Sequence, residues 1–306
     1  MKAVEYSKTG PPEVLQIVDV ERPTPGDDEI LVRVHATTVT AGDVNLRSFK
    51  HPTLFWLSMR VLYGRKRPRR AIPGTEFAGD IEAAGKNVTL FRTGDPVFGS
   101  TGLSFGANAE YVCLPDSGVV ARMPAGLSYQ EAAAIPVGAL TALFFLRKGN
   151  IQSGQRVLVN GASGGVGVFA IQLARHFGAE VAGLCSANNL KLVKSLGAGQ
   201  AIDYTSEDFT RGAARYDLIF DAVGKTSRAD CKNVLAPDGS FVTVKAGLAQ
   251  DSAADLRFLR ELFETGELGP VIDRRYPLDQ IVEAHRYVEA GHKKGSVVIT
   301  MEHSSE

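Results

Sequence analysis

Arg156-Val157-Leu158-Val159-Asn160-Gly161-Ala162-Ser163-Gly164-Gly165-Val166-Gly167 runs from β-favouring residues into a cluster of glycines, and the cluster opens at once into a helical pattern. Val166, Phe169, Ala170, Leu173 and Phe177 recur at helical spacing, Arg175 and His176 fall in the last turn, and Gly178 ends it. A buried strand, a tight glycine turn and a helix N-terminus together make a site for the pyrophosphate of a dinucleotide. Glycines let backbone N–H groups approach the phosphates, and the helix dipole favours their negative charge. The fit to G-x-G-x-x-G fails at its first position, where Ala162 stands, but Gly161-x-x-Gly164-x-x-Gly167 keeps all three glycines.

The next strand, residues 179–185, leads into Ser186-Ala187-Asn188-Asn189-Leu190-Lys191. A site selective for NAD places Asp or Glu about 20 residues past the glycines, against the ribose 2′-hydroxyl. No acid lies between Glu180 and Asp203. A polar pocket with Lys191 or Lys194 nearby suits a 2′-phosphate better, so the expected cofactor is NADPH.

Composition sets the outer bounds. The chain has 306 residues, 44% of them hydrophobic and 22% charged, which is ordinary for a globular protein of two modest domains or one large one. Its formal net charge is zero, so nothing in bulk electrostatics favours nucleic acid or an anionic membrane. Cys113, Cys185 and Cys231 are widely spaced and form no C-x-x-C, which argues for reduced thiols in the cytoplasm and against structural zinc. The start already alternates like a strand and does not read as a signal peptide. The apolar run Leu54-Phe55-Trp56-Leu57-Ser58-Met59 is too short to span a bilayer.

Residues 1–120 read as β-rich, with alternation over 15–20 and 29–39, further strands near 77–84, 96–99 and 109–114, and Gly and Pro turns among them. Many short strands of this kind suggest a compact barrel-like unit. Cys113 reads as a small core residue, His35 as a packed or surface residue, and Asp43 as a cap for local backbone. The segment 52–70 breaks the pattern with a short helical face and a basic run, 64–70; that run is either a solvated loop or a rim for an anion. From residue 128 the period changes. A helix begins at 131–134, Pro136 interrupts, and helical spacing resumes over 138–147. Strands at 156–160, 179–185, 200–204, 217–223 and 240–244 alternate with helices at 166–177 and 188–196, the pattern of a parallel sheet covered on both faces. An amphipathic helix over 256–263, a helix over 278–289 and a strand at 296–300 complete the chain, and the tail is expected to rejoin the first domain.

These residues resemble the zinc-free quinone oxidoreductases of the medium-chain dehydrogenase/reductase superfamily over nearly the whole chain. The matching stretches include Gly10-Pro11-Pro12-Glu13-Val14-Leu15, Pro73-Gly74-Thr75-Glu76-Phe77-Ala78-Gly79, Gly94-Asp95-Pro96-Val97-Phe98-Gly99, Ala132-Ala133-Ala134-Ile135-Pro136, Leu140-Thr141-Ala142-Leu143, the glycine turn, and Asp203-Tyr204. The resemblance implies a GroES-like β-rich substrate domain, residues 1–125 completed by 268–306, and a Rossmann doubly wound parallel sheet over 126–267. It implies NADPH as cofactor, a small-molecule substrate, and hydride transfer to quinones or α,β-unsaturated carbonyls. Thr141 would contact the nicotinamide half. Gly161, Ala162, Ser163, Gly164, Gly165 and Val166 would form the pyrophosphate turn. Ser186, Lys191 and Tyr204 would surround the 2′-phosphate, and Asn188 stands where close relatives carry an arginine. Ala222 and Val223 would flank the nicotinamide.

Zinc alcohol dehydrogenases of the superfamily use an early Cys and a Gly-His-Glu; here those positions read Thr40 and Gly74-Thr75-Glu76. With Cys and His both replaced no zinc is expected, and reduction of a conjugated acceptor is favoured over alcohol oxidation. Thr40 and Asn45 would orient the substrate oxygen, and Tyr63 or water would supply a proton. After residues 240–244 the family normally continues with another strand, whereas here 245–255 lead directly to a helix. A five-stranded sheet without the usual sixth strand is therefore expected, with a monomer or altered homodimer. The alternatives are a non-catalytic NADPH-binding or sensor protein and a zinc-free NADP-dependent alcohol dehydrogenase.

Overall fold

The computed structural model describes residues 1–48 and 72–303; Tyr63 and the basic run 64–70 lie outside them. The chain packs into two compact units. A β-rich unit comprises Met1–Val137, Ser252–Arg260 and Ile272–Glu306, and an α/β unit comprises Gly138–Asp251 and Glu261–Val271.

In the β-rich unit, β1 (Lys2–Glu5) and β2 (Gln16–Asp19) form an antiparallel pair. The long strand β3 (Glu29–Thr38) alternates so that Ile30, Val32, Val34 and Ala36 are all buried. It is followed by α1 (Ala41–Ser48), β4 (Glu76–Ala84), β5 (Pro96–Ser100), β6 (Tyr111–Pro115), β7 (Val119–Arg122), α2 (Tyr129–Ala133) and α3 (Pro136–Lys148). Ser128 and Glu131 form a reciprocal capping box that starts α2. Pro136 opens α3 rather than interrupting it, because a first-turn residue has no intrahelical acceptor to lose. The first division between the units falls inside α3, later than residue 125, since the Val137 N–H bonds Glu76 at 2.7 Å and the Ala134 carbonyl accepts from Ser296 at 3.2 Å.

The α/β unit holds β8 (Arg156–Asn160), α4 (Gly167–His176), β9 (Glu180–Cys185), α5 (Leu190–Ser195), β10 (Gln200–Asp203), β11 (Tyr216–Asp221) and β12 (Leu235–Thr243). All neighbours are parallel, in the order β10-β9-β8-β11-β12. Strand order reverses at β8, so the crevice outside the carboxyl ends of β8 and β11 is where such sheets bind ligands. Among the described residues the sheet has five strands with β12 at one edge, as expected from the direct passage into α6 (Ala253–Glu264). β11 stops at Asp221 and leaves Ala222 and Val223 in a turn, whereas β12 starts early, at Leu235, with an irregular register against β11.

The tail returns to the β-rich unit as β13 (Ile272–Pro277), α7 (Ile281–Glu289) and β14 (Ser296–Thr300), giving the order β13-β14-β3-β4-β5-β7 with β6 also on β3. α1, β7 and β13 carry too little periodicity to announce themselves. β13, Ile-Asp-Arg-Arg-Tyr-Pro, is a charged edge strand.

Under α1 and α7 lies a buried polar cluster. Arg47, 1% exposed, donates to the Gly10 carbonyl and to Glu289, both at 2.5 Å, and so pins the Gly10-Pro11-Pro12 turn. His285 is fully buried, and neither ring nitrogen has a partner among the described residues. Burial, and then the Arg47 charge, push its pKa from 6.5 to about 3. The folded protein keeps this ring neutral while the unfolded chain protonates it below about 6.5, so its contribution falls as pH drops from there toward 3. Urea unfolding of wild type and His285→Leu at pH 7.5 and 4.5 should therefore show wild type losing ground at the acid end, by up to about 1.4 kcal/mol per pH unit. A pH-independent difference would contradict the assignment.

Candidate active site

Gly161 follows the last residue of β8 with φ +79, and its N–H and that of Ala162 both donate to the Leu184 carbonyl at 3.1 and 3.0 Å. These two N–H groups therefore stitch the turn to β9 and are not free to bind a phosphate; Ala162 is fully buried, whereas Gly161 is partly exposed. The Gly164 N–H closes on the Gly161 carbonyl at 3.0 Å. The N–H groups of Ser163, Gly165 and Val166 have no acceptor among the described residues. Three peptide donors remain at the mouth of α4, where the helix dipole favours an anion. A Cβ on Gly164 would meet only the Gly161 carbonyl oxygen within 4 Å, at 3.3 Å, so the outer side of the turn is open. A Cβ on Gly167 would lie 2.1 Å from that same oxygen. α4 can approach the strand this closely only with glycine there. On the other flank, a Cβ on Gly138 would lie 2.5 Å from the Gly165 carbonyl, which seats α3 against the turn. Thr141, one helical turn further along α3, is half-buried with no side-chain hydrogen bond among the described residues.

At the tip of β9, Ser186 is half-exposed and Asn188 and Lys191 are exposed. Tyr204 donates its N–H to the Cys185 carbonyl at 3.1 Å, and its side chain is 57% exposed. Asp203, at the tip of β10, turns its carboxylate onto Thr205 and Ser206, and those hydrogen bonds, Thr205 foremost, hold its pKa low. Asn189, quoted in the sequence analysis without a role, donates to Ser163 Oγ at 2.9 Å and to Ser186 Oγ at 3.2 Å.

Asp221, likewise given no role there, is fully buried at the end of β11. One oxygen accepts from Asn160 Nδ2 at 3.0 Å, Val223 N at 3.3 Å and Gly224 N at 3.0 Å; the other accepts from Thr226 N at 3.0 Å and Thr243 Oγ1 at 3.2 Å. One carboxylate thus ties the ends of β8, β11 and β12 and shapes the turn that presents Val223, 44% exposed.

In the β-rich unit, Thr40 caps α1. Its hydroxyl donates to Asp43 Oδ2 at 2.6 Å and accepts from the Asp43 N–H at 3.1 Å. That proton is committed, so Thr40 has none to offer a substrate oxygen. Burial raises the Asp43 pKa against the hydrogen bonds from Thr40. Asn45, on the same helix, is half-buried with no side-chain hydrogen bond among the described residues. Tyr63 is outside the described residues. Glu76 is 3% exposed; one oxygen accepts from the Thr38 hydroxyl and the other from Val137 N. Burial drives its pKa up to about 7, with those two hydrogen bonds opposing the shift. Among the described residues no group of three His, Cys, Asp or Glu side chains converges to hold a metal ion. Burial pushes all three cysteine thiols up to about 11, which removes them as nucleophiles at neutral pH.

The comparisons agree with this architecture. Residues 26–125 match the alcohol dehydrogenase GroES-like domain, and residues 165–264 and 246–299 match two zinc-binding dehydrogenase families. The chain is 34% identical to the 2-methylene-furan-3-one reductase of Solanum lycopersicum, over 98% of this chain and 79% of that one. It is 30% identical to the chloroplastic NADPH-dependent alkenal/one oxidoreductase of Arabidopsis thaliana, with the same coverage of 98% and 79%. The solved quinone oxidoreductase of Coxiella burnetii superposes with a TM-score of 0.88 at 28% identity, over 99% of each chain. The chain therefore belongs to the quinone oxidoreductase family of the medium-chain dehydrogenase/reductase superfamily, two-domain oxidoreductases that bind a nicotinamide cofactor.

Two glycine substitutions separate packing from binding. Gly167→Ala forces a methyl onto a carbonyl and should destabilise the fold by about 1–3 kcal/mol or more, read as a lower Tm. Gly164→Ala needs only a shift of a few tenths of an ångström, so Tm should barely move, yet its methyl fills the open side of the turn and should weaken nucleotide binding. Equal effects of the two on Tm would refute this division.

Proposed function

We propose that the chain is an NADPH-dependent, zinc-independent reductase of quinones or α,β-unsaturated carbonyls. The observation that carries this reading is the donor set at the carboxyl ends of β8 and β9. It comprises the peptide N–H groups of Ser163, Gly165 and Val166, unclaimed among the described residues, the hydroxyls of Ser163 and Ser186, and Lys191 where an NAD-selective site would have an acid. Every one of these groups can donate to a phosphate. The names of the relatives support the acceptor class, since an alkenal, an alkenone and a 2-methylene-furan-3-one are all conjugated carbonyl compounds.

The residues present do not fit a catalytic zinc. Thr40 has its hydroxyl proton on Asp43, and both Glu76 oxygens are hydrogen-bonded within the protein. Reduction would then rest on positioning. The reduced nicotinamide, when bound, supplies hydride to a carbon of the acceptor, and the conjugated system carries the charge to oxygen. The open turn would hold the pyrophosphate. Ser186, Lys191 and Tyr204 would hold the 2′-phosphate, and Thr141 and Val223 would bound the nicotinamide. Asn45, whose amide is uncommitted among the described residues, would orient the acceptor oxygen; water or Tyr63 would supply the proton. With β12 the last strand of its sheet, the assembly proposed is a monomer or a homodimer paired otherwise than through a sixth strand.

The test is a matched NADPH and NADH titration followed by turnover with quinones, alkenals and secondary alcohols. NADPH should bind at least about tenfold more tightly, a difference of about 1.4 kcal/mol, and should be consumed with a quinone or alkenal. Tight NADPH binding with no turnover would point instead to a nucleotide-binding protein without catalysis. Oxidation of secondary alcohols alone would point to an alcohol dehydrogenase.

A further inference from the structure

Asn189 closes the short turn Ala187–Asn189 that joins β9 to α5, and it is 8% exposed. Its backbone N–H donates to the Ser186 carbonyl at 2.9 Å, which fixes the turn. Its side-chain amide reaches Ser163 Oγ at 2.9 Å and Ser186 Oγ at 3.2 Å, while Oδ1 is buried with no partner. The reverse orientation of the amide would bury two unpaired donors in place of one unpaired acceptor, the costlier outcome.

An amide nitrogen has two hydrogens, and here both are spent on serine oxygens. A serine hydroxyl has one proton, and when its oxygen accepts from Asn189 that proton must point elsewhere. Neither hydroxyl has an acceptor among the described residues. Asn189 therefore sets both serines as donors. Ser163 stands in the glycine turn beside the unclaimed N–H groups of Gly165 and Val166, and Ser186 stands at the tip of β9.

We propose that Asn189 is a positioning residue for cofactor selectivity, aiming the Ser163 hydroxyl at the pyrophosphate and the Ser186 hydroxyl at the 2′-phosphate through one amide. The proposal rests on the reading of this site as one for NADPH. Its consequence is that the part of the site common to NADH and NADPH is coupled to the part that separates them.

The test measures NADPH and NADH affinity by cofactor fluorescence for wild type, Asn189→Asp, Asn189→Ala, Ser163→Ala and Ser186→Ala, with circular dichroism and Tm as fold controls. Asn189→Asp keeps the shape but only accepts, so both serine protons turn inward. It should weaken NADH by about tenfold and NADPH by about a hundredfold, one and two charge-assisted hydrogen bonds respectively. Ser163→Ala should weaken both nucleotides equally, and Ser186→Ala should weaken NADPH alone. Adding Ser186→Ala to Asn189→Ala should cost NADPH little beyond Asn189→Ala. Asn189→Ala provides the same readout without a new charge and stands in if the aspartate variant does not fold. An unchanged NADPH to NADH ratio in both Asn189 variants, or full additivity with Ser186→Ala, overturns the inference while the proposed function stands. Absence of nucleotide binding by the unaltered chain overturns the proposed function and this inference with it.

Discussion

The carbonyl oxygen of Gly161 and the α-carbon of Gly167 sit so close that a methyl on the latter would be 2.1 Å from the former. Everything at the candidate site follows from that approach. It brings the first turn of α4 against the end of β8, and of the intervening residues only Gly164 folds its N–H back, onto the Gly161 carbonyl at 3.0 Å. The Gly165 carbonyl is pressed in turn by Gly138 on α3, so the turn is gripped from both sides. A loop held this way keeps unpaired N–H groups at its surface without collapsing onto them. Such donors are costly unless water or an anion takes them, which is why they mark a site rather than a defect.

The glycine turn was legible because its chemistry is local: a strand pattern, glycines at fixed spacing and a helix pattern follow one another within a few residues. The five-stranded sheet was legible for a related reason, since residues 245–255 are too few to contain both a strand and its return. Asp221 and Asn189 were not legible. A buried acid and a buried amide look in sequence like any polar residue of a loop, and what distinguishes them is which backbone the fold brings to them. Thr40 is the opposite case. Thr40-Ala41-Gly42-Asp43 has the spacing of a reciprocal helix cap, and that local reading was available before any role in binding substrate. The nearer partner, Asp43, holds the proton.

The β-rich unit commits its charged groups to structure in the same way. Arg47 is spent on the Gly10 turn and Glu289, and Glu76 is spent on Thr38 and the first turn of α3. A carboxylate accepting a helix N-terminal N–H is an ordinary use of an acid, favoured by the dipole of the helix. Its consequence for the site is that both oxygens already have donors, so recruiting Glu76 as a ligand would cost α3 its cap.

The two turns at the strand-order reversal show how one sheet edge makes two different surfaces. After β11 the N–H groups of Val223, Gly224 and Thr226 all close on the Asp221 carboxylate. The protein supplies its own anion there, so the turn is saturated and rigid. Those three N–H groups are spent within the protein, and the turn presents Val223 as an apolar wall. After β8 no carboxylate is supplied, Asn160 turns its amide sideways onto Asp221, and the N–H groups of Ser163, Gly165 and Val166 stay unclaimed among the described residues. A dinucleotide needs both surfaces, charge-accepting at the phosphates and flat and apolar at the ring. An internal anion on one strand end and its absence on the next supplies that contrast without any difference in backbone topology.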